Sequence, residues 1–167
     1  MINGKMYESE YEQAFVELLQ NAGWDYTFGE NLHRQITDPI LEDDLRNFLN
    51  ARYANNGFTN DDCDAAIANI RNIGGVNDYD ALRNTYNLYH DGYDFKFMDA
   101  NKQPFHLEYI DFDNPENNIF RVVNQFEMLQ GNQKRIPDVM LFINGIPVCI
   151  IELKNPTDEN ATIRNAH

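Results

Sequence analysis

Cysteine is scarce in this chain. Only Cys63 and Cys149 occur, far apart and in no C-x-x-C pair, and the four histidines show no ligand spacing. A disulfide-framed fold and a zinc module are both excluded on that ground. Cys149 lies in the apolar run Val148-Cys149-Ile150-Ile151 and reads as a core thiol, so a reducing, cytoplasmic setting is expected. Long apolar stretches are missing too. Runs such as Val139–Ile143 fall far short of the about 20 apolar residues that a membrane helix needs, so no membrane partner is expected. The opening Met1-Ile2-Asn3-Gly4-Lys5 lacks the apolar centre of a signal peptide. Positive charge is sparse: 13 Lys and Arg stand against 27 Asp and Glu, a net −14. That balance argues against a free-standing, non-specific DNA binder. It leaves room for a site that needs carboxylates to hold metal, or for a domain whose partners supply most nucleic-acid affinity. No G-x-x-x-x-G-K-[ST] occurs, so the chain carries no ATP-driven motor of its own.

What is present suffices for a core. Hydrophobic residues are 43% and aromatics 13%, with charged residues at 24% of 167 residues, the profile of one folded domain spanning 1–167. Tyr7, Tyr11, Ala14, Phe15, Leu18 and Ala22 recur at helical spacing and predict a first helix over 7–22, stopped by Gly23. Trp24–Phe28 reads as a short strand and 41–53 as a second helix. Thr59-Asn60-Asp61-Asp62 is a capping box opening a third helix, which Gly74-Gly75 ends. A fourth helix is expected over 79–89. From Asp94 the texture turns to strand: 95–97, 106–112 and 119–129, with a turn at 113–118 and a loop at Gly131-Asn132. Val139–Ile143 and 146–153, joined by Asn144-Gly145, read as a hairpin of two strands covered on both faces. Residues 158–167 read as the start of a further helix. Helices first and sheet later imply an α/β sandwich.

The chemistry concentrates at Ile136-Pro137-Asp138 and, fourteen residues after Asp138, Glu152-Leu153-Lys154. Glu152 and Lys154 are two apart, so on a strand they share a face. Carboxylates with a lysine in an apolar hairpin are costly to bury. A salt bridge accounts for a Glu-x-Lys pair alone; the added Pro-Asp points to phosphodiester hydrolysis. There Mg²⁺ held by Asp138 and Glu152, with the Leu153 carbonyl as a further ligand, supplies Lewis acidity and lowers the pKa of a bound water. Lys154 either orients that water or neutralises the phosphorane. Hairpin parity bears on this. A two-residue Asn144-Gly145 turn pairs Asp138 with Ile151; a three-residue loop with a G1 bulge pairs it with Ile150, placing it diagonal to Glu152. Only the three-residue loop suits a shared metal, so it is the one expected.

The stretch from Tyr109 to Pro156 resembles the N-terminal nuclease domain of type I restriction-subunit proteins. The matching blocks are Ile110-Asp111-Phe112, Asn117–Gln125, Pro137-Asp138, Asn144-Gly145-Ile146-Pro147 and Glu152-Leu153-Lys154-Asn155-Pro156, with the opening Glu8-Ser9-Glu10 to Gly23-Trp24 matching that family's first helix. The resemblance implies a PD-(D/E)xK fold: a restriction-endonuclease-like mixed β-sheet flanked by α-helices. It implies Mg²⁺-dependent cleavage of double-stranded DNA within a complex of modification and specificity subunits. ATP would serve only the motor of the full-length subunit. The family's Gln-x-x-x-Tyr motif, expected after the Glu-x-Lys strand, is not reached by His167, so independent cutting by this chain is not implied. Many nucleases of this fold add an acid from the first helix. Glu10 and Glu17 lie side by side at the border of the apolar face, and Glu10 fits the family position better. Lys134 and Arg135, ahead of the Asp138 strand, are candidate phosphate contacts. Two other classes remain open: an assembly or DNA-positioning module with a structural carboxylate–lysine cluster, and a nuclease of the same fold from DNA repair.

Overall fold

The computed structural model describes residues 8–153. Lys154 and the expected helix at 158–167 therefore lie outside the described residues, as does Tyr7. The elements, in order, are α1 (Glu8–Asn21), β1 (Asp25–Phe28), α2 (Glu42–Tyr53), α3 (Asn60–Arg71), α4 (Asp78–Asp91), β2 (Tyr93–Phe95), β3 (Phe105–Leu107), β4 (Phe120–Asn124), β5 (Met128–Gln130), β6 (Gln133–Arg135), β7 (Val139–Ile143) and β8 (Ile146–Ile151). Among the described residues no helix is long and apolar enough to cross a membrane. The described residues divide into two compact units, one built from 8–39, 120–143 and 147–153, the other from 40–119 and 144–146.

The first unit is a mixed sheet in the order β1-β4-β7-β8. β1 runs parallel to β4 and β4 antiparallel to β7, in the register Phe120↔Ile143 to Asn124↔Val139. Alternation along these strands puts Val122, Val139 and Leu141 on one face, where they pack with Val16, Phe15 and Leu19 of α1. The other face carries Val123, Met140 and Phe142, with Phe126 against Phe142 at 5.2 Å between ring centroids. This is the restriction-endonuclease-like, mixed-sheet architecture that the resemblance implied.

Several local expectations are corrected. The sheet-facing stripe of α1 is 12, 15, 16 and 19, with Val16 1% exposed, whereas Leu18 is 63% exposed and Ala14 is exposed. The apolar residues at 14 and 18 had drawn the predicted face one position off. Strand 119–129 breaks at Gln125, whose φ of 52° is left-handed. β5 then turns back on β6, so Gly131-Asn132 is a hairpin turn and not an open loop. β8 is the last strand of its sheet: Val148 and Ile150 are 42% and 56% exposed, and Cys149 is exposed, not core. The Asn144-Gly145 turn has φ of 51° and 76°, the two left-handed residues of a type I′ turn, so the three-residue loop does not form.

The second unit packs α2 on α3, with the β2–β3 hairpin over them. The Thr59 capping box forms as read, Thr59 accepting from Asp62 N–H and Asp62 from Thr59 N–H. β3 stops at Leu107 because the following residues enter a polar network. Buried Asp111 accepts from Asn114 N–H at 3.0 Å and Asn117 Nδ2 at 2.9 Å and pairs with Arg52. Asn118 donates to the Asp111 carbonyl at 2.8 Å and accepts from Asn144 Nδ2, also at 2.8 Å. Asn144 further donates to the Tyr109 carbonyl at 2.8 Å and accepts from Ile119 N–H at 2.7 Å. A buried asparagine at positive φ is held here because every polar atom of its side chain is satisfied. Gly145 is needed as well, since a Cβ there would overlap the Leu41 carbonyl oxygen. Three blocks shared with the resembled family, around Asp111, Asn118 and Asn144, thus meet in a scaffold.

The Asn117 amide, the Asn114 N–H and Arg52 hold the Asp111 carboxyl below its usual range. Its contribution to stability is therefore full above an unfolded pKa of about 4 and is lost as pH falls through the lower folded value. We expect Asp111→Ala to cost about 1–3 kcal/mol at pH 7 by leaving the Asn114 N–H and the Asn117 amide without their acceptor and Arg52 with Glu108 alone. The gap between variant and parent should narrow below about pH 4. Urea melts across that range check both.

Candidate active site

The candidate site lies at the end of the sheet where β4 finishes, β7 begins and the chain leaves β8. β4 finishes at Asn124, paired with Val139, so its side chain shares the α1 face with Val122. The Gln125 N–H donates to the Asp138 carbonyl at 3.1 Å and extends the β4–β7 pairing by one step. Gly29 permits the turn at Gln125, because a Cβ there would overlap the Gln125 carbonyl. Pro137 is buried and Asp138 half-buried. The Leu153 N–H donates to Asp138 Oδ2 at 2.7 Å. Asp138 thus sits against the Glu152-Leu153 segment, and Glu152 is exposed. Both acids lie one residue outside the regular strands, at 139–143 and 146–151.

The helix contributes an acid as well. Glu12 stands one turn before Val16 on the sheet-facing stripe. Its Oε1 accepts from Asn124 Nδ2 at 2.6 Å and its Oε2 from Gln125 Nε2 at 3.1 Å. The Tyr26 hydroxyl donates to Asn124 Oδ1 at 3.0 Å, which fixes the orientation of that amide. Glu10, two residues earlier, is exposed and on the opposite side of the helix from Glu12. Sequence reasoning missed Glu12 because the misread apolar face put it outside the interior. The signal for it was the 12-16-19 spacing onto Val16 and Leu19. Lys134 and Arg135 are exposed on β6, and Lys134 Nζ pairs with Glu127 Oε2 at 2.9 Å. Lys154 lies outside the described residues.

Asp138, Glu152 and the Leu153 carbonyl are hard oxygen donors of the kind that suits Mg²⁺. Among the described residues no three His, Cys, Asp or Glu side chains cluster as a ready-made metal site. That is compatible with Mg²⁺, which commonly takes only one or two protein carboxylates and fills its octahedron with water and substrate phosphate.

A mixed sheet in the order β1-β4-β7-β8 with helix cover is the restriction-endonuclease-like class. Comparison with known proteins narrows this. Residues 5–167 match the family described as type I restriction enzyme R protein N terminus, and the chain belongs to that family. It is 30% identical over 173 residues to the type I restriction enzyme HindI endonuclease subunit of Haemophilus influenzae, covering 95% of this chain and 16% of that protein. It is 29% identical over 166 residues to a Methanocaldococcus jannaschii protein provisionally named the type I restriction enzyme MjaIXP endonuclease subunit, covering 93% and 16% respectively. The chain thus spans 16% of the length of these relatives.

If Asn124 fixes Glu12, the two are energetically coupled. A double-mutant cycle of Glu12→Ala and Asn124→Ala by denaturant melts should give a coupling of about 0.5–3 kcal/mol. Additive losses would contradict it.

Proposed function

We propose that this chain is the DNA-cleaving part of a type I restriction enzyme's endonuclease subunit, hydrolysing phosphodiester bonds of double-stranded DNA with Mg²⁺. The observation that carries the reading is the bond from Leu153 N–H to Asp138 Oδ2, which unites the Pro-Asp and Glu-x-Lys segments at the sheet end. Asp138, Glu152 and the Leu153 carbonyl would hold Mg²⁺. When bound, it supplies Lewis acidity toward the phosphate and acidifies a coordinated water.

The residues have separable tasks. Asp138 has one oxygen tied to the backbone, so its carboxylate is preorganised rather than free to rotate. Glu152 is exposed and faces the solvent from which substrate arrives. Glu12, gripped by two amides, contributes fixed negative charge from α1 and takes the helix-acid role in preference to Glu10. Lys154 orients the attacking water or offsets charge on the phosphorane. Lys134 and Arg135 contact phosphates. In the full-length subunit an ATP-driven motor would lie elsewhere in the chain. Modification and specificity subunits would complete the complex, working in the cytoplasm.

The test is Asp138→Ala in the full-length subunit. Removing a group worth several kcal/mol to the transition state should lower DNA cleavage by about three orders of magnitude. ATP hydrolysis should be unchanged. Loss of both activities together would point to a folding role for Asp138 and against the proposal.

A further inference from the structure

β5 and β6 form a two-stranded sheet of their own, in the register Met128↔Arg135, Leu129↔Lys134 and Gln130↔Gln133. Gly131, at φ 59°, opens the two-residue turn. Residues 131–136 are all exposed, so the ribbon buries little of itself. Isolated hairpins of this kind are marginal in water, and this one is held at its root. The Leu129 N–H donates to the Ile36 carbonyl at 2.8 Å. The Arg34 guanidinium lies 3.5 Å over the Phe126 ring. It donates to the Asp38 carbonyl at 2.9 Å and also to the Glu127 carbonyl. Much of the local interaction is thus spent on fixing where an exposed polar ribbon stands.

Its charge runs against that of the chain. No acid occurs between Glu127 and Asp138, while β6 carries Lys134 and Arg135 in a protein of net charge −14. As neighbours on a strand, these two cations project to opposite faces of the ribbon. Among the described residues no carboxylate pairs with Arg135. β6 leads directly into Pro137-Asp138, so Arg135 lies at most about 10–11 Å of chain from the candidate catalytic acid. With phosphates rising about 3.4 Å per step along one strand, that span reaches roughly three phosphates. A two-stranded ribbon also fits the B-DNA major groove, about 12 Å wide.

The geometry points to the β5–β6 ribbon as a DNA prong. It enters the groove beside the cut, with Lys134 and Arg135 on phosphates flanking the scissile one and the Gly131-Asn132 tip inside the groove. Contact with phosphates alone is sequence-independent, so the prong sets register of the cut without selecting sequence. This inference rests on the cleavage reading, but it is tested without cutting.

Binding of the chain to a random duplex is measured by fluorescence anisotropy in EDTA over a series of salt concentrations. Arg135→Ala should reduce the log–log salt slope by about 1 and the Lys134→Ala/Arg135→Ala pair by about 2. Arg83→Ala, on α4 beside Asp80, should leave the slope unchanged. A photo-crosslinking residue at Asn132 should label the duplex, and one at exposed Asn87 should not. An unchanged slope in the Arg135 variants, no measurable binding at low salt, or no labelling from Asn132 overturns the prong. Reduced slope and labelling in a chain whose full-length subunit never cuts DNA would sink the cleavage reading and leave the prong standing.

Discussion

Everything at the candidate site depends on the pairing of β4 with β7 and on the step that extends it. Asn124↔Val139 sets which side chains face α1, and the Gln125 N–H to Asp138 carbonyl bond carries the register one residue past regular strand. From that step Gln125 turns its amide onto Glu12, and Asp138 turns its carboxylate onto the Leu153 N–H. Helix acid and strand acid are thereby referred to the same two rungs of one ladder. A one-residue slip of β4 on β7 would exchange faces and dissolve the arrangement.

The strong negative charge has a different meaning at the two ends of this unit. At the sheet end, acids are placed by hydrogen bonds: Glu12 by two amides, Asp138 by a backbone N–H. Such charges are fixed before substrate arrives, which is what an electrostatic site requires. On the ribbon both cations are exposed, Lys134 paired with Glu127 at its root and Arg135 with no carboxylate partner among the described residues. The overall −14 therefore does not describe the face that would meet a polyanion, and a domain acting within a larger assembly need not attract DNA by net charge.

The long periodic and capped segments were legible in the sequence. The Thr59 box named α3 because its side-chain chemistry is local, and the Pro137-Asp138 and Glu152-Leu153 segments, singled out for their chemistry, are joined by the Leu153 N–H to Asp138 bond. The failures have nonlocal causes. The α1 face was misjudged because helical periodicity tolerates a one-position shift, and only the sheet decides between Leu18 and Val16. The break at Gln125 was invisible because the αL backbone of a non-glycine residue is imposed by its neighbours, here Asp138 and Gly29. Cys149 and Ile150 read as core, but β8 is the last strand of its sheet. Asn144-Gly145 suits either hairpin loop. What selects type I′ is the network from Tyr109, Asn118 and Ile119 that grips the Asn144 side chain.

The central claim is that Asp138 and Glu152 form one cation site at the end of the sheet. The most direct measurement is anomalous diffraction from a crystal of this chain soaked in Mn²⁺, a scattering substitute for Mg²⁺. The account predicts a single strong peak beside the Asp138 and Glu152 carboxylates, the groups that would hold the cation with the Leu153 carbonyl. An empty position there at saturating Mn²⁺, or a peak elsewhere while Asp138 remains bound only to the Leu153 N–H, would contradict it.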